Sequence, residues 1–435
     1  MMFRFSFVRP AVWAAAVLAG CLLLTGCDDE SLMGPDATNE TFTRYVALGN
    51  SITAGFQSNG IVASTQDSSY ATLLAGQMNT RFELPRLAPP GCPPPAENVF
   101  VSALEAAQGE PASPCGLRAS PTPTVLNNVA VPGAKVIDAL RNDAPSSSPN
   151  TLTTFILGGR TQVQAAQEID PTFATVWLGN NDALGAALSG DTGALTDAST
   201  FESQITRVVD SLITAGAERG VLVSVANPIV IPHLSPGQTY AAAESQINQF
   251  GQSIASQNTQ FSWGGYTVES SCAGGGAQTR VPFAYGFQTL FVQALQGQAV
   301  QLDCAPSSAP SPLLTPSEQN TIVSRVQSYN STLSSLADEQ GWAYVNVNPA
   351  LQALYQATDE NGNDLVPKFP NPPTNLQNPA ANPPTFGRYF SEDGVHPSSP
   401  THSIITYLII QKLNQQYSDV QLEPVSIPSA VEPLL

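Results

Sequence analysis

The sequence predicts an α/β fold in which helices cover both faces of a mainly parallel five-stranded sheet. The first observation is five short apolar runs without strict alternation, as expected for strands that are buried on both faces. These runs are FTRYVAL (42–48), TVLNNVAV (124–131), FATVWL (173–178), VLVSVA (221–226) and WAYVNV (342–347). The second observation is that helical patterns lie between the runs. Strands that alternate with helices predict a three-layer α/β/α sandwich.

Three amphipathic helices are predicted from apolar residues that recur every three or four positions. Their stripes consist of Phe201, Ile205, Val208, Val209, Leu212 and Ile213; of Ile322, Val323, Val326, Tyr329, Leu333 and Leu336; and of Ile404, Ile405, Leu408, Ile409 and Leu413. The third helix is predicted to begin with Ser399 as N-cap and Pro400 as the first helical residue.

Three long segments interrupt the alternation of strands and helices and are predicted to be loop insertions on the core. They cover about 85–123, which is rich in Pro, 235–316, which is rich in Gln, Ser, Gly and Pro, and 359–390, which is rich in Asn and Pro. Loops of such length are usually functional or covering. The predicted domain therefore covers residues 42–417, followed by a C-terminal tail at 418–435.

The N-terminal segment has the pattern of a targeting signal. Arg4 and Arg9 precede the apolar run AVWAAAVLAGCLLL, and Leu24-Thr25-Gly26-Cys27 then resembles the lipobox of bacterial lipoproteins. The resemblance implies a signal peptide at 1–26, lipid on Cys27 and a polar tether at 27–41. It also implies a bacterial envelope protein, at the outer membrane or cell surface rather than the inner membrane. The alternative is an ordinary secretory signal with a chance cysteine.

Charge and cysteine usage narrow the possible partners and the compartment. The net charge of −18 argues against nucleic acid and anionic membrane surfaces as partners.

Without Cys21 in the signal and the lipidated Cys27, four cysteines remain, and an even number in an exported chain suggests disulfides. The local pairs are Cys92–Cys115 and Cys272–Cys304. A zinc site is the alternative, although neither CxxC nor HxxxH spacing occurs.

Polar segments follow the predicted strands at the places where a parallel sheet binds ligands. They are Gly49-Asn50-Ser51, Pro132-Gly133-Ala134, Gly179-Asn180-Asn181-Asp182 and, directly before the last helix, Ser391-Glu392-Asp393-Gly394-Val395-His396-Pro397. One edge of the sheet thus gathers a hydroxyl, a backbone amide, a side-chain amide, a carboxylate and an imidazole. Acyl transfer by an activated serine needs this set of groups.

The segments GNSITAG, NNVAVPGA, LGNND and DGVHP resemble, in order, the four sequence blocks of the SGNH hydrolases, also called the GDSL esterase/lipase family. The resemblance implies a flavodoxin-like fold with Ser51 as nucleophile, His396 as general base and Asp393 as the residue that orients it. It also implies an oxyanion hole of the backbone N–H groups of Ser51 and Gly133 and the side-chain amide of Asn181. Neither a metal nor an organic cofactor is implied.

Four further residues near these blocks receive other interpretations. Asn50 stands where the family usually has Asp, and we expect it to shape the turn through backbone hydrogen bonds. Asp182 is expected to brace the third block or to position Asn181. His233 follows the fourth strand and is expected to line the pocket, whereas His402 is expected to be structural or solvent-facing.

The sequence therefore predicts a monomeric carboxylic-ester hydrolase that works through an acyl-Ser51 intermediate. Its substrates would be small-molecule, lipid or acylated-glycan esters, and the lipid anchor would be its contact with the membrane. Two alternatives remain. One is a glycan- or lipid-binding lipoprotein that has kept the fold without turnover, and the other is an acyltransferase that uses an alcohol instead of water.

Overall fold

The computed structural model describes residues 36–109, 114–141, 151–305, 311–376 and 378–435. The predicted signal peptide and Cys27 lie outside these residues. Among these described residues, no helix is both long enough and apolar enough to cross a membrane.

The strands of the described chain are short. In chain order they are β1 (Tyr45–Gly49), β2 (Phe173–Trp177), β3 (Arg219–Val223), β4 (Leu234–Pro236), β5 (Tyr266–Val268), β6 (Arg280–Pro282), β7 (Val300–Leu302) and β8 (Ala343–Val345). The α-helices cover Ser51–Ala54, Ala63–Asp67, Tyr70–Gln77, Val99–Ala107, Val136–Leu140, Thr151–Leu157, Gln162–Gln167, Asn180–Ser189, Ala198–Thr214, Gly237–Gln257, Val292–Leu295, Pro316–Gln340, Asn348–Gln356 and Ser399–Gln416. A π-helix covers Ala284–Phe291.

The central sheet has the strand order β1-β2-β3-β8, and all of its strand pairs are parallel. Alternate residues of each strand enter different hydrophobic clusters, because successive side chains point to opposite faces. Val46 and Val176 pack with the helices Ala198–Thr214 and Pro316–Gln340. Ala47 and Trp177 pack in the other cluster, with residues of Tyr70–Gln77 and Ser399–Gln416. The predicted α/β sandwich with a parallel sheet is confirmed.

The predicted strand at 124–131 lies along β1 but is not a regular strand. Ala47 N–H donates to Asn127 O at 2.8 Å, Val129 N–H donates to Ala47 O at 3.0 Å, and the parallel contact is an isolated bridge. The side-chain amide of Asn127 donates to Tyr45 O at 2.7 Å. The side chain of Asn127 therefore donates to a carbonyl that would accept a backbone N–H in a regular strand ladder. As a result, four of the five predicted runs form regular strands of the central sheet.

The three predicted helices are present as Ala198–Thr214, Pro316–Gln340 and Ser399–Gln416. The last one begins one residue earlier than predicted, because Ser398 is its N-cap and Pro400 is its second helical residue. Proline is tolerated at either place, since the first-turn N–H groups have no partner within the helix.

The segment 235–316 is wrongly predicted as a loop. It contains the helix Gly237–Gln257, the π-helix Ala284–Phe291 and two small sheets, β4 with β6 antiparallel and β5 with β7 parallel. The long helix buries Tyr240, Ala243, Ile247 and Ile254 at helical spacing. The many Gln and Ser residues between these positions give the segment a polar composition, which hid the buried apolar stripe of the helix.

The other two insertions are closer to the prediction, although 85–123 contains the helix Val99–Ala107. Disulfide bonds join Cys92 to Cys115 in the segment 85–123 and Cys272 to Cys304 in the segment 235–316. The four cysteines that the alternative zinc site would use are thus engaged in disulfide bonds.

Candidate active site

Ser51 lies at the carboxyl end of β1, on a tight turn into the helix Ser51–Ala54. Asn50 is the N-cap, and its Oδ1 accepts the N–H of Ile52 at 3.1 Å. A side chain at Gly49 would meet Thr53 Oγ1 at 2.0 Å, so the close approach requires glycine. Asn50 thus shapes the turn as expected, and Ser51 lies at the edge of the sheet as a buried residue that is 8% exposed.

His396 reaches Ser51 from a loop that precedes the last helix. Ser391 N–H donates to His396 O at 2.9 Å, which closes the loop on itself. His396 Nε2 lies 2.9 Å from Ser51 Oγ, across 345 residues of sequence. The other ring nitrogen, Nδ1, lies 2.9 Å from Asp393 Oδ2. The structure therefore brings Ser51, His396 and Asp393 together in one hydrogen-bonded chain.

The carboxylate of Asp393 is buried and surrounded by donors. Its Oδ1 accepts the N–H groups of Val395 and His396, each at 2.8 Å, and the hydroxyl of Ser391 at 3.1 Å. Its Oδ2 accepts the N–H of Asn59 at 2.8 Å in addition to facing the imidazole. Burial opposes ionisation, but the imidazole and these donors outweigh it and hold the pKa of Asp393 below its ordinary value. The group is therefore a fixed anion beside His396.

The three predicted oxyanion donors line the same cavity of about 390 Å³ as Ser51 Oγ and His396. Gly133 has φ of +82°, as the turn after 124–131 requires. Within the described part of the chain, the backbone N–H groups of Ser51 and Gly133 donate to no protein acceptor. The side chain of Asn181 donates to Ala134 O at 2.9 Å, which fixes its amide and leaves its second N–H unused by this bond.

Asp182 braces the third block by linking it to two neighbouring segments. Its carboxylate accepts the N–H of Val136 at 3.1 Å and the hydroxyl of Thr196 at 2.7 Å. Burial raises the pKa of Asp182 to about 6, against the lowering effect of these hydrogen bonds. The residue thus holds in place the first turn of the helix Asn180–Ser189, which carries Asn181.

The two other histidines lie in different surroundings. His233 lines the cavity, and its Nδ1 lies 2.8 Å from the backbone carbonyl of Asp393. His402 is fully buried, and its Nδ1 accepts the N–H of Tyr70 at 3.1 Å. Burial lowers the pKa of both imidazoles, to about 3 for His402. His396 is therefore the histidine that faces the serine.

Two supporting features were missed from the sequence. The side chain of Gln162 pairs with both backbone groups of Gly49, at 2.9 Å each, and so anchors the serine turn from a distant helix. No local signal could have identified it. The second feature is the turn Gln57–Gly60. This turn could have been predicted from the sequence, because Ser58-Asn59-Gly60 is typical of tight turns.

Most of the chain matches a protein-family model. The family model described as GDSL-like Lipase/Acylhydrolase matches residues 45–409. The protein belongs to this family and is an ester-bond hydrolase. None of the curated proteins matches the sequence at a significant level.

Several solved structures are similar at low sequence identity. A catalytic mutant of an acetylxylan esterase from Geobacillus stearothermophilus is 10% identical, with 87% of this chain and 95% of that chain covered and a TM-score of 0.35. An α/β hydrolase from the metagenome of Lake Arreo is 12% identical, with 86% and 96% covered and a TM-score of 0.35. An extracellular lipase from Streptomyces rimosus is 13% identical, with 86% and 99% covered and a TM-score of 0.31.

Proposed function

We propose that the protein is a serine-dependent carboxylic-ester hydrolase that works through an acyl-Ser51 intermediate. One observation carries the proposal: the hydrogen-bonded chain from Asp393 through His396 to Ser51 Oγ, with 2.9 Å at each contact of the imidazole. A serine hydroxyl is a weak nucleophile unless a base takes its proton, and His396 is within reach to do so.

In the first half-reaction, Ser51 Oγ attacks the ester carbonyl carbon while His396 Nε2 takes the hydroxyl proton. The oxygen of the tetrahedral intermediate is stabilised by the N–H groups of Ser51, Gly133 and Asn181. The intermediate collapses, the bond to the alcohol breaks, and His396 gives its proton to the departing alcohol. Asp393 holds the tautomer that leaves Nε2 free to accept a proton and stabilises the imidazolium.

In the second half-reaction, water replaces the alcohol. His396 takes a proton from water, the hydroxyl attacks the acyl carbon, and collapse releases the carboxylic acid and returns the proton to Ser51 Oγ. The net reaction consumes one ester and one water and yields one acid and one alcohol.

A fluorophosphonate probe tests the nucleophile directly. Wild type is expected to be labelled once, and Ser51→Ala is expected to lose both the label and the hydrolysis of p-nitrophenyl esters. The matched control is Ser211→Ala, because Ser211 is a partly exposed serine that does not line the serine cavity and whose hydroxyl donates to Arg207 O within its own helix. Hydrolysis at the wild-type rate in Ser51→Ala would show that another group carries the chemistry.

We further propose that the chain is exported, processed before Cys27 and held at the bacterial cell envelope by lipid on that cysteine, as a monomer. The support is the sequence pattern at the N-terminus, with basic residues, an apolar run and small residues before Cys27. More than one acyl chain would make such anchoring stable. The ester substrate would then be a small molecule, a lipid or an acylated glycan outside the cytoplasm.

A further inference from the structure

Three adjoining cavities surround the serine. The largest, the serine cavity, is the one of about 390 Å³ described above. A narrow cavity of about 50 Å³ shares Ser51, Asn181, Leu184, Val395 and His396 with it. This narrow cavity also shares lining residues with a third space of about 90 Å³, which we call the apolar cavity. The narrow cavity thus adjoins both the serine cavity and the apolar cavity.

The side chains between the serine and the apolar cavity come from the catalytic segments themselves. Ile52 follows Ser51 directly and lines the narrow and the apolar cavities. Val395 precedes His396 directly and lines all three cavities. These two side chains therefore form the apolar boundary that an acyl group bonded to Ser51 Oγ would follow towards the apolar cavity.

The apolar cavity is lined by Trp177 of β2, by segments that follow the strands, and by side chains of two helices, Asn348–Gln356 and Ser399–Gln416. Its side-chain polar groups are already engaged, because the Trp177 indole N–H donates to Ser224 O and the Thr401 hydroxyl donates to Tyr389 O. The other lining side chains are aliphatic or aromatic, such as Leu351, Leu354 and Ile404. A cavity of this chemistry holds methylene groups better than it holds water.

The serine cavity has a different character. It is about four times larger than the apolar cavity, and its lining includes the polar side chains of Asn59, His233 and Gln288. A polar alcohol that departs with a proton from His396 is better matched to this space. The two sides of the serine therefore differ in size and polarity, although the serine cavity also has apolar lining residues such as Leu188 and Phe283.

We propose that the apolar cavity binds the acyl chain of the substrate, and that the enzyme prefers esters of acids with about four to eight carbons. This inference rests on the proposed acyl-Ser51 mechanism and adds the substrate class. The estimate of length follows from volume. A cavity of roughly 150 Å³ holds benzene, with its six carbons, so the apolar and narrow cavities together hold about five or six carbons beyond the carbonyl.

The first experiment measures kcat/KM for p-nitrophenyl esters from acetate to palmitate. Each methylene that enters an apolar site is expected to raise kcat/KM by roughly three- to four-fold. The hexanoate value should therefore exceed the acetate value by about 100-fold, and values should fall beyond about eight carbons. A maximum at acetate, or equal values across the series, would overturn the inference.

Two substitutions fill the proposed acyl site from different ends. Ala226 lines both the narrow and the apolar cavities, and Ala350 lines the apolar cavity from the helix Asn348–Gln356. Ala226→Leu and Ala350→Phe are each expected to lower the ratio of hexanoate to acetate kcat/KM by ten-fold or more. The matched control is Ala284→Phe, which adds the same bulk to the serine cavity and should leave this ratio within two-fold of wild type. A fall of the ratio only in the control would place the acyl chain on the other side.

A binding measurement separates this inference from the proposed mechanism. Fluorophosphonate labelling of Ser51 reports the mechanism and does not depend on chain length. Hexanamide, a neutral analogue of the acyl half, should raise the Tm of Ser51→Ala more than acetamide does, and Ala350→Phe in that background should remove the difference. Labelled wild type without a hexanamide shift would refute the acyl site alone, whereas unlabelled wild type with the shift would refute the mechanism alone.

Discussion

Replacing Asp393 by asparagine perturbs the hydrogen-bond chain at its most buried member. The change keeps the shape of the side chain and removes one acceptor oxygen together with the charge. The Oδ1 position faces three donors, the N–H groups of Val395 and His396 and the hydroxyl of Ser391. The Oδ2 position faces the N–H of Asn59 and the ring of His396.

Of the two orientations of an asparagine at this position, one is less unfavourable. An NH₂ group at the Oδ1 position would oppose two backbone N–H groups that cannot turn away, whereas at the Oδ2 position it opposes one, that of Asn59, so the amide oxygen takes the Oδ1 position. The NH₂ group then occupies the Oδ2 position and donates to His396 Nδ1. The imidazole proton consequently moves to Nε2, where it points at Ser51 Oγ. A histidine in that tautomer cannot accept the serine proton.

The expected loss in kcat is about 10⁴-fold, which corresponds to about 5.5 kcal/mol of transition-state stabilisation. KM should change much less, since Asp393 is buried behind the imidazole. The assay is steady-state hydrolysis of p-nitrophenyl hexanoate together with the rate of fluorophosphonate labelling, which should fall in parallel. The Tm of the variant shows whether the fold is retained.

The matched control is Asp359→Asn, because this carboxylate also accepts two backbone N–H groups but lies on an exposed loop. It should keep at least half of the wild-type kcat. If Asp393→Asn kept its kcat within ten-fold of wild type while the fold was intact, the proposed role of Asp393 in setting the tautomer would be refuted.

Three further predictions concern an oxyanion donor, a buried acid and the anchor. Asn181→Ala should lower kcat for p-nitrophenyl esters by about 10²–10³-fold, and a loss below three-fold would remove Asn181 from the oxyanion hole. Because burial raises the folded pKa of Asp182 to about 6, the contribution of Asp182 to stability should be greatest below about pH 4 and fall by about 3 kcal/mol as pH rises through about 6. Urea unfolding at pH 4 and 7 should show a smaller difference in Asp182→Asn, and an equal difference would contradict the assignment. Cys27→Ala should abolish palmitate incorporation and release the protein from membranes, whereas Cys21→Ala should keep both properties.

The central sheet and the segments of the candidate site could be predicted because they follow from local pattern. A strand that is buried on both faces has a continuous apolar run, and the segment after it lies at the ligand-binding edge. Ser51 follows β1, and Asn181 follows β2, as these rules require. The loop that carries Asp393 and His396 was found from its residue types and its place before the last helix.

The features that could not be predicted depend on contacts between distant residues. Asn127 occupies backbone hydrogen-bonding positions with its side chain, so an apolar run that reads as a strand is irregular. Gln162 pairs with Gly49 across 113 residues, and nothing near it in sequence signals that contact. The helix Gly237–Gln257 needs the aromatic residues of its own segment to bury its stripe, and composition does not show such partners.

The meeting of the two ends of the chain at the active site depends on the turn Gln57–Gly60. Ser58 and Asn59 both adopt left-handed backbone conformations, with φ of 56° and 60°, which residues other than glycine adopt only at a cost. This conformation aims two consecutive N–H groups at the acid loop: Ser58 donates to Ser391 Oγ at 2.9 Å, and Asn59 donates to Asp393 Oδ2 at 2.8 Å. Since the turn follows the serine helix within a few residues, it fixes the loop of Asp393 relative to Ser51 through local hydrogen bonds. The backbone strain in the turn is thus stored where it positions His396 against Ser51.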